Sequence, residues 1–357
     1  MKIKDLLNIE HPIIQAPMAG GPTTAELVSK ISNLGGLGSV GAGYLSASGL
    51  ENHIRQIKTK TSKPYSVNIF VNDLPKDREV IKTVRDKITK FYDDLDLGPA
   101  NFEPELESKI DDQIDVVIAE RTPIVSCTFG FFNKDQLARL KQSGAIVVGT
   151  ATSVDEAVYV ESMGANVVTA QGFEAGGHRG SFLLTSNGSF PQVGSISLIP
   201  RIVDRVKIPV LASGGISDGR SMLAAISLGA SGVQMGTVFL TTHEAKGNGE
   251  MVKKVIEAKD TDTVLTKSFS GKPARGVYNE FIQDLEKFES EIPNYPIMNS
   301  ITSKIRSKAK DSSNPELMSL WAGQSSCYAR NESAEEAFKR LISEYNYQRE
   351  KLISFNF

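Results

Sequence analysis

Asn166-Val167-Val168-Thr169-Ala170-Gln171-Gly172-Phe173-Glu174-Ala175-Gly176-Gly177-His178-Arg179-Gly180 is a short apolar, β-branched run that gives way to a glycine-rich loop. The run has the composition of a buried strand, so the loop begins where a strand ends. Gly176 and Gly177 let the backbone come close to a bound group with no Cβ in the way. Gln171 brings an amide with both a donor and an acceptor. His178 is the only one of the four histidines with a glycine-rich approach, and imidazole titrates near neutrality. A lone histidine is more often structural than catalytic, but the strand and the glycine pair before this one favour function.

The same beat recurs outward in both directions. Upstream, apolar runs at Ile13 to Met18, Leu37 to Ala42, Tyr65 to Val71, Pro123 to Gly130 and Ala145 to Ala151 alternate with helical stretches. Thr23 or Thr24, Ser46 or Ser48, and Ser153 are placed to cap those helices. Downstream, a helix is expected over Ser197 to Arg205, a strand over Ile208 to Ala212, a helix over Gly219 to Leu228 capped by Asp218, and a last strand at Gly232 to Thr237. About eight strand–helix units in roughly 240 residues, with strands apolar on both faces, predict a (β/α)8 TIM-type barrel. A doubly wound open sheet would carry G-x-G-x-x-G after the first strand, and Ala19-Gly20-Gly21-Pro22 is not that.

Two segments break the rhythm. Asn72 to about Asp115 is charged, contains Pro75, Pro99 and Pro104, and reads as a helical insertion, either a solvated hairpin or a partial cover over the site. Residues 246–357 read as a helical C-terminal region on the barrel mouth or in an oligomer contact, with Ser333 capping Ala334 to Tyr345. The barrel itself is assigned to residues 1–245.

Composition removes several functions. The chain has 357 residues, 40% hydrophobic and 23% charged, with a net charge of −2 and no Lys/Arg block, so nucleic acid is not an expected partner. No apolar run approaches the roughly 18 residues of a membrane span, and the N-terminus lacks the apolar core of a signal peptide. Two cysteines, Cys127 and Cys327, form no metal-ligand spacing or disulfide framework. A cytoplasmic protein is expected. Cys127, alone in an apolar strand, reads as core.

In a barrel of this kind the chemistry sits at the C-terminal ends of the strands. Those ends carry Ala16-Pro17-Met18, Asn68, Thr128-Phe129-Gly130, Gln171 with Gly176-Gly177-His178, Gly214-Gly215, and Gln234-Met235-Gly236-Thr237. The last two groups follow the seventh and eighth strands, where free backbone N–H groups and a helix N-terminus cradle phosphate. Asn68 and Gln171 suit the polar edge of a flat heteroaromatic ring, with Ala16, Met18 and Ala170 against its face. A carboxylate pair, a metal-ligand cluster and a lysine are all missing from these ends, which removes glycosidase, metallohydrolase and Schiff-base aldolase chemistry. Phosphate plus a ring with amide partners points to a nucleotide-type redox cofactor, most simply FMN.

The motifs Gln15-Ala16-Pro17-Met18-Ala19-Gly20, Cys127-Thr128-Phe129-Gly130, Ala170 to Gly180 and Gln234-Met235-Gly236-Thr237 closely resemble those of the bacterial nitronate monooxygenases, formerly 2-nitropropane dioxygenases. The resemblance extends from residue 10 to Trp321-Ala322-Gly323-Gln324. It implies an FMN-dependent monooxygenase that converts propionate 3-nitronate or other alkyl nitronates with O2 to the carbonyl compound and nitrite or nitrate. It further implies that Asn68, Gln171, Gly176, Gly214, Gln234, Met235, Gly236 and Thr237 bind FMN and that His178 is the active-site histidine. Lys272 and Arg275 are candidates for a substrate carboxylate, against the plainer reading of a solvated basic loop. Two other readings stand beside this one: an FMN-dependent NAD(P)H reductase of the same barrel type, acting on enoyl-acyl carriers or quinones, and a flavin-binding protein without turnover.

Overall fold

A computed structural model of the chain describes residues 2–104, 106–247 and 249–354. Eight parallel strands form its centre: β1 (Ile13–Gln15), β2 (Gly38–Gly41), β3 (Tyr65–Phe70), β4 (Ile124–Thr128), β5 (Ile146–Ala151), β6 (Val167–Gln171), and, after the two-residue β7 (Gly177–His178), β8 (Val210–Ser213) and β9 (Gly232–Met235). Their spatial order is β1-β9-β8-β6-β5-β4-β3-β2. The Leu37 N–H donates to Ile13 O (3.0 Å) and the Gln15 N–H to Leu37 O (2.9 Å), which joins β1 to the β2 edge and closes the (β/α)8 barrel.

Strict alternation assigns each strand residue a side. Ile14, Leu37, Ile124, Val148, Val167 and Leu211 form one apolar cluster inside, and Ile3, Leu7 and Ile9 of the N-terminal helix and the turn after it pack into that cluster. Ile13, Val67, Val125, Val147, Val168, Ala212 and Val233 belong instead to the larger cluster shared with the surrounding helices. Thr24, Ser46, Ser153, Asp218 and Ser333 each accept a backbone N–H at a helix start, each bond contributing about 1 kcal/mol.

The outer ring departs from the sequence expectation at two points. Ile110–Ala119, grouped with the insertion, packs on the helices Ala47–Lys58 and Lys134–Gln142 as part of the ring. Ala334–Ile353, grouped with the mouth-covering region, lies against Ala25–Asn33 and Gly219–Ser227 and buries Ala334, Ala337, Phe338 and Leu341 in the barrel's outer core. The short helix Thr237–Leu240 after β9 leaves that place open, so the chain fills it from its far end.

Between those points the chain builds a second apolar cluster. The insertion supplies one helix, Lys82–Asp94, rather than a solvated hairpin. Its Val84, Ile88 and Tyr92 are buried with Phe269, Phe281, Ile301 and Leu320, and the Tyr92 hydroxyl donates to Ile301 O at 2.9 Å. The C-terminal region also contains two strands that the helical reading missed, β10 (Thr263–Thr266) and β11 (Ala274–Val277). They form an antiparallel sheet with β7, in which Ala274 pairs with His178 and Arg275 with Gly177. No helix among the described residues is long and apolar enough to cross a membrane.

Candidate active site

Two glycine loops meet at the C-terminal ends of β8 and β9. Gly214 (φ +100°) and Gly215 (φ +72°) adopt left-handed backbone, and a Cβ at Gly214 would stand 3.0 Å from both Ala175 N and Gly172 O. Gly236 precedes the helix Thr237–Leu240, and a Cβ there would meet only the Ala16 methyl, at 3.7 Å. Among the described residues the backbone N–H groups of Gly214, Gly215, Gly236 and Thr237 have no acceptor. The site therefore offers four unpaired donors to an anion.

The segment Trp321 to Ser325, at the end of the family resemblance, laces these loops to the histidine motif. Gly323 N–H donates to Thr237 Oγ1 (3.0 Å), Gln324 N–H to Glu174 O (3.0 Å) and Ser325 Oγ to Gly215 O (3.3 Å). Gly176 lets this segment in, because a Cβ at that position would be 2.5 Å from Ala322 C and Gly323 N. Glu174 adds a further tie. Its carboxylate accepts the Ser195 N–H (2.9 Å) and hydroxyl (3.0 Å) at the start of a helix whose N-cap, Gly194, has no side chain of its own to offer.

His178 sits in a pocket of rings. Its centroid lies 5.6 Å from Phe129, 5.5 Å from Trp321, 6.2 Å from Tyr295 and 6.5 Å from Phe70. Burial, helped by the charges of Lys272 and Arg306, pushes its pKa down to about 3, so the imidazole is neutral. Its Nε2 meets Ser270 Oγ at 2.8 Å, while that hydroxyl is also 3.1 Å from Lys272 O and 3.3 Å from Lys272 N. One hydroxyl proton satisfies all three contacts when Nε2 carries hydrogen and Ser270 donates to the Lys272 carbonyl. Nδ1 then keeps its lone pair, with no partner among the described residues. Gly177 beside it has φ +72°, and a Cβ there would meet nothing within 4 Å.

Lys272 and Arg275 are not equivalent. Lys272 Nζ donates to Ser181 O (2.9 Å) and lies over the Phe129 and Phe190 rings at 4.7 and 4.8 Å; burial lowers its pKa to about 8. It belongs to the pocket and is not a solvated loop residue. Arg275 is buried, donates to Phe173 O and Thr263 O, and stacks on Phe173. Ser181, in turn, is held by the buried Glu156, whose carboxylate accepts the N–H groups of Thr152, Phe182 and Leu183 while Thr152 Oγ1 contacts Ser181 Oγ.

The other expected residues divide by strand alternation. Asn68, Gln171 and Gln234 lie on the inner side, yet the first two are already engaged. Asn68 Nδ2 donates to Ser126 Oγ (3.0 Å) and Thr128 Oγ1 (3.2 Å). Gln171 Nε2 donates to His178 O (3.1 Å), and its Oε1 accepts the Gly180 N–H (2.8 Å), which fixes the histidine loop. The Gln234 amide has no hydrogen-bond partner among the described residues and is only partly buried. Met235 and Ala170 are one residue out of phase, and their side chains pack outward in the helix-facing core. Ala170 therefore does not supply a ring face at the mouth, and Met235 contributes backbone only. Cys127 is fully buried and its thiol is held far above the ordinary value by desolvation, so it supplies no thiolate.

Known proteins are similar to this chain over nearly its whole length. The family model described as nitronate monooxygenase matches residues 1–344. A probable nitronate monooxygenase of Staphylococcus haemolyticus (strain JCSC1435) is 44% identical over 95% of both chains. One from Staphylococcus aureus (strain MRSA252) is 43% identical over 97% of both. Among solved structures, nitroalkane oxidase from Streptomyces ansochromogenes superposes with a TM-score of 0.91 at 31% identity, covering 98% of this chain and 99% of that one. FabK from Thermotoga maritima gives 0.78 at 30% identity, covering 99% and 98%. This chain belongs to the nitronate monooxygenase family and is an oxidoreductase enzyme of that kind.

Proposed function

We propose that the enzyme is an FMN-dependent nitronate monooxygenase, oxidising alkyl nitronates such as propionate 3-nitronate with O2 to the carbonyl compound and nitrite or nitrate. One adjacency carries the proposal. A neutral imidazole, next to a glycine that faces open space, lies on a loop tied to two glycine turns with four unpaired N–H groups. FMN fits those turns. Gly214, Gly215, Gly236 and Thr237 would hold its phosphate, with Met235 contributing backbone. The free Gln234 amide and the remaining hydrogen-bonding capacity of Asn68 and Gln171 would meet the ring edge, beside the Gly176–Gly177 backbone. When bound, FMN supplies the acceptor for the substrate's electrons and the route by which they reach O2.

The chain's own residues prepare the substrate. Lys272, protonated below about pH 8, attracts the anionic nitronate into an apolar, ring-walled pocket, where the attraction is stronger than in water. When a neutral nitroalkane binds instead, the lone pair of His178 Nδ1 takes the α-proton. Lys272, whose charge adds to burial in keeping His178 neutral, also favours the nitronate left behind. A cytosolic location belongs to the same proposal, supported by two unpaired cysteines, Cys127 and Cys327. His178→Asn tests the role of the imidazole. It is expected to lower kcat/KM on nitroethane by about 100-fold or more, with a much smaller loss on ethyl nitronate; equal losses on both would sink the base assignment.

A further inference from the structure

The pocket around His178 contains a cation that no carboxylate among the described residues neutralises. Arg306, on the helix Ser303–Asp311, donates from Nη2 to Asn299 O (2.7 Å) and Oδ1 (2.9 Å). Its Nε is buried and has no hydrogen-bond partner among the described residues. The groups on which its charge acts are Tyr44, Tyr295 and His178, none of them acidic at neutral pH. No carboxylate among the described residues pairs with it or bears on it, whereas Arg340 has Glu332 and Glu344, and Arg275 lies in the field of Glu174. Arginine stays charged when buried, and a desolvated charge without a counter-ion is costly. The two phenols beside it keep their protons, because burial raises both, and neither hydroxyl has a hydrogen-bond partner among the described residues. Rings connect this corner to the histidine: Tyr44 lies 5.7 Å from Phe70, and Tyr295 lies 6.2 Å from His178.

We propose that Arg306, with the hydroxyls of Tyr44 and Tyr295, is the specificity-determining seat for a carboxylate carried by the substrate, while its reacting anionic end lies toward His178 and Lys272. The inference rests on the nitronate reading for the identity of that reacting end. An anion bound there meets the charge of the Arg306 guanidinium and two O–H donors that have no partner among the described residues. The site then prefers dianions to monoanions of equal chain length.

Trp321 is the only tryptophan and its ring stands 5.5 Å from His178, so its fluorescence reports occupancy without turnover. The holoenzyme is titrated with malonate against propionate and with succinate against butyrate. Wild type is expected to bind at least one dicarboxylate about 10-fold or more tighter than its partner. Arg306→Met is expected to bring that ratio to about one, and Arg306→Lys to keep part of it. In turnover, Arg306→Met raises KM for propionate 3-nitronate by about 10- to 100-fold and leaves KM for propyl 1-nitronate within about two-fold. No dianion preference in wild type, or an unchanged preference in Arg306→Met, overturns the assignment. Failure of wild type to turn over any nitronate would refute the proposed reaction instead, and the fluorescence ratio would still judge Arg306.

Discussion

Replacing His178 by glutamine removes one titrating group from the ring-walled pocket, and the structure sets how the pH dependence of stability should change. The imidazole is held at about 3, first by burial and then by Lys272 and Arg306, against about 6.5 in an unfolded chain. Between those values the unfolded chain binds a proton that the native protein does not. Unfolding therefore becomes easier as pH falls, by about 1.4 kcal/mol per unit below pH 6.5. From pH 7 to pH 5 wild type should lose about 2 kcal/mol that the variant keeps. Urea unfolding of both proteins at the two pH values, at equal flavin loading, measures the difference. His11, His53 and His243 are present in both proteins and cancel. Equal losses would mean that His178 titrates normally, and the neutral imidazole with a free Nδ1 lone pair would be wrong.

Two further tests address the glycine motif and the lysine. Gly176→Ala places a Cβ 2.5 Å from the Ala322–Gly323 backbone; it should destabilise by about 1–3 kcal/mol and release flavin on gel filtration. Gly177→Ala meets no neighbour and pays only for its left-handed backbone, about 1–2 kcal/mol, so equal flavin loss in the two variants would contradict the lacing role of residues 321–325. Lys272 has its pKa lowered to about 8, and its charge is lost as pH rises through that value. KM for propyl 1-nitronate should rise above pH 8 in wild type and stay flat in Lys272→Met; a parallel rise in both would remove Lys272 from substrate attraction.

The barrel was legible because its signals are local. β-branched runs, capping residues and glycines at strand ends repeat in register, and each of the eight expected strands lies within a few residues of an observed one. The position of Ala334–Ile353 was not legible. An amphipathic helix with a Ser333 cap fits the ring as well as it fits a cover, and the choice rests on the vacancy left by the four-residue helix after β9. At the site, period-two alternation could have set Gln234 apart from Met235, and Gln171 from Ala170, since one phase faces inward and the other outward. Phe70, Ser270, Tyr295, Arg306 and Trp321 reach His178 or its pocket from distant parts of the chain through rings and a hydroxyl. Pairings of that kind leave no trace in spacing. The β7–β11 pairing gives the reason, because it is a two-residue ladder made after the chain returns from almost 100 residues away.

Whether a flavin in this barrel accepts electrons from a nitronate is decided by one spectrum. The purified protein's visible absorption is recorded anaerobically, after propionate 3-nitronate and, separately, after NADH. The protein should be yellow, with an oxidised-flavin absorption that changes at once with the nitronate and stays unchanged with NADH. Rapid bleaching by NADH with no response to the nitronate would make the enzyme a reductase, and a colourless protein unable to take up FMN would rule out the proposed cofactor.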